Sequence, residues 1–548
     1  MKLTLQDVQE DREAFLQAGI GLPAYDAATV QQIGRETPVW AHFGIGNIFR
    51  IFIGSIVDRL ITEGSLASGL TCVETFDPEV VDRIYRPHDN LMLRVILNND
   101  GSVKRSVIAP FAEAIFGNSA DPASWRRLRE IFRAPSLQMA SFTITEKGYA
   151  LTGTDGGYTR LAQEDFRKGP EHCAHCMSVV TAMLYERYRA GRLPIALVSM
   201  DNCSHNGKRL QEAVWAVADA WLANGFVDEG FRDYVRDENT VAFPWTMIDK
   251  ITPRPSESVA ALLKKEGVED IDPIVTAKKT FIAPFGNAEE AQYLVVEDHF
   301  PNGRPRLEDG GVYMTDRETV NKAERMKVNT CLNPIHTALC TYDCMLGYDL
   351  FADGMRDPEL SRLAHRIGYT EGLPVVSDPK ILSPRAFLDE VVNVRMPNPY
   401  LGDISQRIAT DISQMVGIRF GETIKSYVRR DGTAAGLTGI PLAIAGWLRY
   451  LMALDDDGKP FSLAPDPLIP ELQQQMAGIV FGQPETADGK LLPLLSNANL
   501  FGIDLYQAGI GEKCETYFRE EIAGPGAVRK TLKKELDAAD RSDAEAGK

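Results

Sequence analysis

The stretch PVWAHFGIGNIFRIFIGSIVDRL, Pro38–Leu60, decides the fold. A short apolar run leads into the turn Gly44–Ile45–Gly46, and an amphipathic helical pattern follows. Strand, glycine turn and helix in that order open a Rossmann unit, where backbone N–H groups approach a pyrophosphate. The fingerprint is incomplete, because Phe49 stands where the third glycine of GxGxxG belongs. On this signal alone a plain structural turn reads as well as a nucleotide turn.

Outward from it, GLTCVETF, LQMASFTIT, PIALVSM and QYLVVEDHF are further strand-like runs, with helical patterns between several of them. In NGKRLQEAVWAVADAWLANG, Leu210, Val214, Val217, Trp221 and Leu222 recur at helical spacing, and Gly225 is a stop. Strands alternating with helices predict an α/β fold with a largely parallel sheet. Past residue 318 helical patterns dominate. The expected organisation is an N-terminal extension over residues 1–36, a Rossmann-type dinucleotide-binding domain over 37–317 and a mainly α-helical substrate-binding domain over 318–548. The charged tail Arg529–Lys548 is expected to fray.

Composition excludes several function classes. With 548 residues, 44% hydrophobic and 25% charged, the chain reads as globular and multidomain. A formal charge of −17, with no basic run, argues against a nucleic-acid partner. GIPLAIAGWLRYLMAL is the nearest approach to a membrane span, but it is short and contains Arg449. The acidic N-terminus lacks a signal-peptide pattern, and the eight cysteines are scattered. Reduced thiols in a cytoplasm are the expectation. HCAHC, His172–Cys176, contains zinc-ligand types, but neighbouring residues cannot all point at one ion, and a helical pattern follows directly. The expectation is no metal, with a zinc alcohol dehydrogenase as the rival.

An acidic residue closing the second strand would bind ribose hydroxyls and favour NAD over NADP, which stays open. Glu74 fits and Asp77 is the fallback; each is also an ordinary strand-end carboxylate.

Several separated motifs then occur in a meaningful order: SFTITEKGY from Ser141, SMDNCSHNG from Ser199, FPWTMIDKITP from Phe243, VVEDHFPNGRP from Val295, KVNTCLNPIH from Lys327 and AGWLRY from Ala445. Over roughly residues 37–520 the chain resembles the polyol-specific long-chain dehydrogenases, the mannitol dehydrogenase family. The resemblance implies metal-free hydride transfer with NAD(P) at a cleft between a Rossmann and a helical domain. It makes Lys327 the acid/base, a role that needs its ordinary pKa of about 10.4 to be depressed, as burial would do. It makes Asn202 and Asn333 donors to the substrate oxygen, and His336 a hydroxyl ligand. Asp249 and Arg407 become substrate contacts and Glu324 a proton relay. Each has a plainer reading: a solvated lysine, a turn asparagine, a core histidine, ion-paired or exposed charges. TEKGY and TMIDKITP resemble the fructuronate reductases within the family. The expected small-molecule reaction is therefore fructuronate to mannonate. Mannitol to fructose and the tagaturonate reaction are the alternatives, and a non-catalytic sensor is the rival from another class.

Two departures matter. The family spacing is K-x-x-x-x-N-x-x-H, but one extra residue separates Lys327 from Asn333. On a regular helix that residue swings Asn333 from about 140° to about 240° away from Lys327. A one-residue π-bulge would restore the arrangement, and Pro334 makes a distortion plausible. The other departure is Met415, where the family often carries lysine; its loss leaves the choice between uronate and polyol open.

Overall fold

The computed structural model describes residues 1–153, 155–545 and 547. The chain forms two compact units, Met1–Val320 and Asn321–Lys548.

In the first unit a six-stranded sheet carries β1 (Trp40–Phe43), β2 (Leu70–Glu74), β3 (Phe111–Phe116), β4 (Met139–Phe142), β5 (Ile195–Ser199) and β6 (Val241–Ala242). Their order is 3-2-1-4-5-6, and every neighbouring pair is parallel. This is the doubly wound order of dinucleotide-binding folds, with its switch point between β1 and β4. Apart from β3, every strand is buried along its whole length. Helices on both faces demand such unbroken apolar strands. The helix Asn206–Ala223 turns Leu210, Val214, Val217 and Trp221 inward, leaves Leu222 half-buried, and stops before Gly225, whose φ is +74°.

QYLVVEDHF behaves differently from the other strand-like runs. Its strand Tyr293–Glu297 pairs antiparallel with Thr246–Asp249 in a separate three-stranded sheet. The first 36 residues are bound into the same unit. Ile20–Gly21 pairs with Val103–Ile108, and Leu3, Phe15 and Ile20 pack in one core with Leu93 and Val259.

The second unit is helical. Its central helix, Gly439–Tyr450, is buried at every residue. This is the apolar stretch that resembled a membrane span; among the described residues no helix is long and apolar enough to cross one. Its N-terminal N–H groups are capped from a distance. Glu371 accepts from Thr438 N at 2.7 Å, Gly439 N at 2.6 Å and Ile440 N at 2.8 Å. As far as Glu545 the tail does not fray. Ala527–Glu545 is a helix that buries Val528, Leu532 and Leu536. Arg362 holds it through Asp537 and Asp540, and Arg366 through Asp543. Among the described residues four π-helical stretches interrupt the unit: Met326–Cys331, Arg366–Gly372, Val391–Arg395 and Gly417–Gly421. Such widened turns concentrate at functional sites.

Candidate active site

In the first unit the site is built at the carboxyl ends of β1, β2, β4 and β5. Gly44 leaves β1 with φ +87°, and a Cβ there would stand 2.2 Å from Thr143 O on the loop after β4. Only glycine fits so close to a neighbouring backbone. Gly46 differs: a Cβ on it meets nothing within 4 Å, so its surface faces open space. Arg50 N donates to Gly46 O at 3.2 Å, starting the π-helical stretch Phe49–Ile53 that runs into the helix Gly54–Thr62. Phe49, in place of a third glycine, is buried and stacks on His42 at 4.0 Å. A pyrophosphate could lie against Gly44–Gly46 and the helix start.

A polar chain fixes this turn. Trp40 Nε1 donates to Ser141 Oγ (2.6 Å), which lies 2.6 Å from His42 Nδ1. His42 Nε2 lies 2.8 Å from Thr143 Oγ1, which donates to Gly44 O at 2.7 Å. Burial holds the His42 pKa well below its ordinary value, so the ring is neutral. Thr143 spends its proton on Gly44, so Nε2 carries the ring proton and Nδ1 accepts from Ser141.

Glu74 ends β2 buried, and its Oε1 accepts from Phe76 N (2.7 Å) and Asp77 N (3.2 Å). Burial raises its pKa against those bonds. Asp77 is spent on structure. It caps Glu79 N at 3.2 Å and accepts from Thr276 Oγ1 at 2.6 Å. Of the two strand-end carboxylates, Glu74 is the one that belongs to β2, the neighbour of β1 and its glycine turn.

Asn202 is exposed in the turn after β5. Its neighbour Asp201 ties that turn to the β4 loop, accepting from Ile144 N (2.8 Å), Thr145 N (2.9 Å) and Tyr149 Oη (2.6 Å). Thr145 is held at φ +63°, a strained position for a β-branched residue and a mark of a constrained site. Asp249 is buried at the end of Thr246–Asp249. That strand is anchored to β5 where Thr246 Oγ1 donates to Ser199 O at 2.6 Å.

In the second unit Glu324, Lys327, Asn333 and His336 follow one another along three consecutive helical segments. Lys327 is only 2% exposed, so it is not a solvated lysine. It sits in the π-helical stretch Met326–Cys331, where Leu332 N donates to Lys327 O at 3.1 Å, a five-residue step. Leu332 then leaves helical geometry (φ −129°, ψ −65°), and the α-helix Asn333–Leu346 begins. The helix is widened in the segment that carries the extra residue. Asn333 Oδ1 is buried with no hydrogen-bond partner among the described residues. An orphaned polar atom of this kind calls for a ligand or water. His336 is half-buried against the edge of Phe351, with ring centroids 4.8 Å apart. Glu324 is half-buried at the end of the helix Arg317–Arg325.

Arg407 is exposed and paired with Asp403 at 2.7 Å, one turn away. Met415 is half-buried, and four residues on lies Arg419, which the sequence reading did not single out. Its Nη1 donates to Thr337 Oγ1, next to His336.

The HCAHC stretch leads into a helix that it caps. His175 Nδ1 accepts from Met177 N at 3.1 Å and so caps the helix Cys176–Arg189. Cys173 and Cys176 are buried, and burial pushes the Cys176 thiol up to about 12. Among the described residues no group of three or more His, Cys, Asp or Glu is placed to hold a metal ion.

Comparison with known proteins gives concordant matches. Residues 40–309 match the mannitol dehydrogenase Rossmann domain and residues 319–517 the mannitol dehydrogenase C-terminal domain. A D-mannonate oxidoreductase of Thermotoga maritima is 50% identical over 535 residues, 97% of this chain and 98% of that protein. A mannitol 2-dehydrogenase of Aspergillus clavatus is 27% identical, covering 93% of this chain and 95% of the relative. Among solved structures, a substrate-free D-sorbitol dehydrogenase matches with TM-score 0.74 at 24% identity, covering 93% of this chain and 98% of its own. The Pseudomonas fluorescens mannitol 2-dehydrogenase ternary complex with NAD and D-mannitol matches with TM-score 0.70 at 24% identity, covering 98% and 100%. At that identity the two structures speak for the fold.

Proposed function

We infer, from the premise that this chain belongs to the mannitol dehydrogenase family, that it is an NAD-dependent oxidoreductase interconverting fructuronate and mannonate without a metal. The observation that carries the reading is Lys327, buried in a widened helical turn just ahead of Asn333 and His336. The full-length likeness to a D-mannonate oxidoreductase supports the sugar-acid choice over mannitol.

The residues fit the dinucleotide. Gly44 and Gly46 would take the pyrophosphate, the first by close backbone packing and the second by its open face. Glu74 would take the ribose hydroxyls, which favours NAD over NADP. When bound, the reduced cofactor, NADH, would supply the hydride, and NAD would accept it in the reverse direction.

The chain's own groups do the rest. Asn333 and Asn202 donate from their amides to the ketone oxygen as negative charge develops on it. An amide suits this because it donates without titrating. Lys327 delivers the proton to that oxygen, and in the reverse direction removes it. Glu324, one turn before the lysine, passes the proton on. His336 and Asp249 orient substrate hydroxyls.

An NADH-oxidation panel with fructuronate, tagaturonate and fructose tests the substrate, with Lys327→Ala alongside. Fructuronate should be preferred, and the variant should lose about 100- to 10,000-fold in turnover while retaining NADH binding. A clear preference for fructose sinks the sugar-acid assignment. Unaltered turnover in Lys327→Ala sinks the acid/base assignment.

A further inference from the structure

The widened turn that carries Lys327 leaves a backbone acceptor without a helical donor. Leu332 N steps back five residues to Lys327 O, and Leu332 itself then lies outside any hydrogen-bonded turn. Asn333 N therefore closes no helical turn onto Asn329 O. The same five-residue step taken again would bring residue 334 to Asn329 O, but Pro334 has no N–H. A backbone carbonyl drawn away from water is normally paired, so this one needs a donor from elsewhere.

Another helix supplies it. Thr423, buried as the second residue of the helix Glu422–Asp431, donates from Oγ1 to Asn329 O at 2.9 Å. The π-helical stretch Gly417–Gly421 just ahead of it fixes its place. A Cβ on Gly417 would stand 2.9 Å from Leu500 O, and one on Gly421 would overlap Phe501 O, so both glycines lie backbone to backbone on that segment. One turn beyond Thr423, Tyr427 Oη donates to Glu371 O at 3.0 Å, within the π-helical stretch Arg366–Gly372. That stretch lies against the lysine turn as well: a Cβ on Gly372 would stand 3.4 Å from Thr330 O. One helix thus carries two hydroxyls, a turn apart, to carbonyls of two adjoining widened stretches.

We propose that Thr423 is a positioning residue for the acid/base turn. Its hydroxyl stands in for the N–H that the break at Leu332 and the ring of Pro334 remove, and so fixes the irregular register between Lys327 and Asn333. The proposal rests on the acid/base reading of Lys327 above. Thr423 acts through the Asn329 carbonyl, which lies between the two residues in sequence. Without the hydroxyl that carbonyl must find another donor, and the turn shifts with it.

The test compares Thr423→Val, which removes the hydroxyl and keeps the shape, with Thr423→Ser, which keeps the hydroxyl. With the preferred ketone of the panel above, Thr423→Val should lose on the order of 10- to 100-fold in kcat, the scale of a displacement of about 1 Å, while KM and NADH binding stay within about 2-fold. Thr423→Ser should hold kcat within about 3-fold of wild type. Pro334→Ala probes the cause, because it returns an N–H five residues after Asn329. In that background Thr423→Val should cost less than about 3-fold, a coupling that two unrelated packing defects would not show. Unchanged kcat in Thr423→Val, an equal loss in Thr423→Ser, or a loss undiminished by Pro334→Ala each overturns the proposal. If Thr423→Val does not fold, the double variant decides: folding and turnover should return with Pro334→Ala, and a double variant that stays unfolded or inactive overturns it. Amide hydrogen exchange over residues 326–336 reads the turn without turnover. It should quicken in Thr423→Val and not in Thr423→Ser, and unaltered exchange overturns the proposal. If Lys327→Ala keeps wild-type turnover, the acid/base reading fails, and exchange alone then decides whether Thr423 holds the turn.

Discussion

Replacing Gly46 by alanine should separate folding from nucleotide binding. A Cβ there meets nothing within 4 Å, and the residue lies outside the positive-φ region. Where the native backbone accepts alanine without strain, the substitution stabilises by about 0.4–1 kcal/mol through the unfolded chain. The added methyl would occupy the space in which we place the pyrophosphate. A displacement of about 1 Å at such a site costs on the order of 100-fold. Gly44→Ala is the contrast. Its Cβ would stand 2.2 Å from Thr143 O, and the backbone is at φ +87°. The conformation alone costs about 1–2 kcal/mol, and the β1 and β4 loops must also part by roughly 1 Å to reach ordinary contact. Thermal melts and NADH titration by fluorescence read both effects. Gly46→Ala should melt at or above the wild-type temperature and bind NADH at least ~10-fold more weakly. Gly44→Ala should lose on both measures. If Gly46→Ala binds NADH like wild type, the open face is not the cofactor's, and the assignment of this turn fails.

The other predictions concern the second unit. Inserting one alanine between Leu332 and Asn333 turns Asn333 by about 100° relative to Lys327. Turnover should fall at least ~100-fold with the circular dichroism spectrum unchanged, and retained turnover would show that the spacing does not matter. Glu371→Ala leaves the Thr438, Gly439 and Ile440 N–H groups without their acceptor, which should cost about 3–5 kcal/mol and lower the urea midpoint. Glu521 is buried, and desolvation pushes its pKa up to about 8. Tyr342 Oη lies 2.7 Å from both Glu521 Oε1 and Leu442 O. A phenol has one proton to donate, so both contacts are satisfied only when Glu521 is protonated. Folding then takes up a proton between the unfolded pKa, near 4.5, and about 8. Stability should fall as pH rises through that window, by about 5 kcal/mol at most, and stay level above it. Glu521→Gln should flatten the dependence of the urea midpoint on pH over this range; an unaltered slope would clear Glu521 of the role.

The parallel sheet is legible in the sequence where its strands are unbroken apolar runs, as in β2, β4 and β5. β3 escapes notice because Glu113 interrupts its pattern, and that glutamate is tolerated because Arg127 pairs with it at 2.7 Å. QYLVVEDHF reads like the parallel strands because an apolar run records burial and says nothing of the direction of its neighbour. In the site, the six steps from Lys327 to Asn333 are informative because a helix converts residue count into direction. Five α-helical steps end about 140° round, and six end about 240° round. The widened turn Met326–Cys331 and the non-helical Leu332 both fall in the segment that carries the extra residue. A count can therefore expose a backbone irregularity before any coordinates exist. Arg419 could not be found in that way. Its acceptor, Thr337 Oγ1, lies on another helix, and only the folded chain brings the two together.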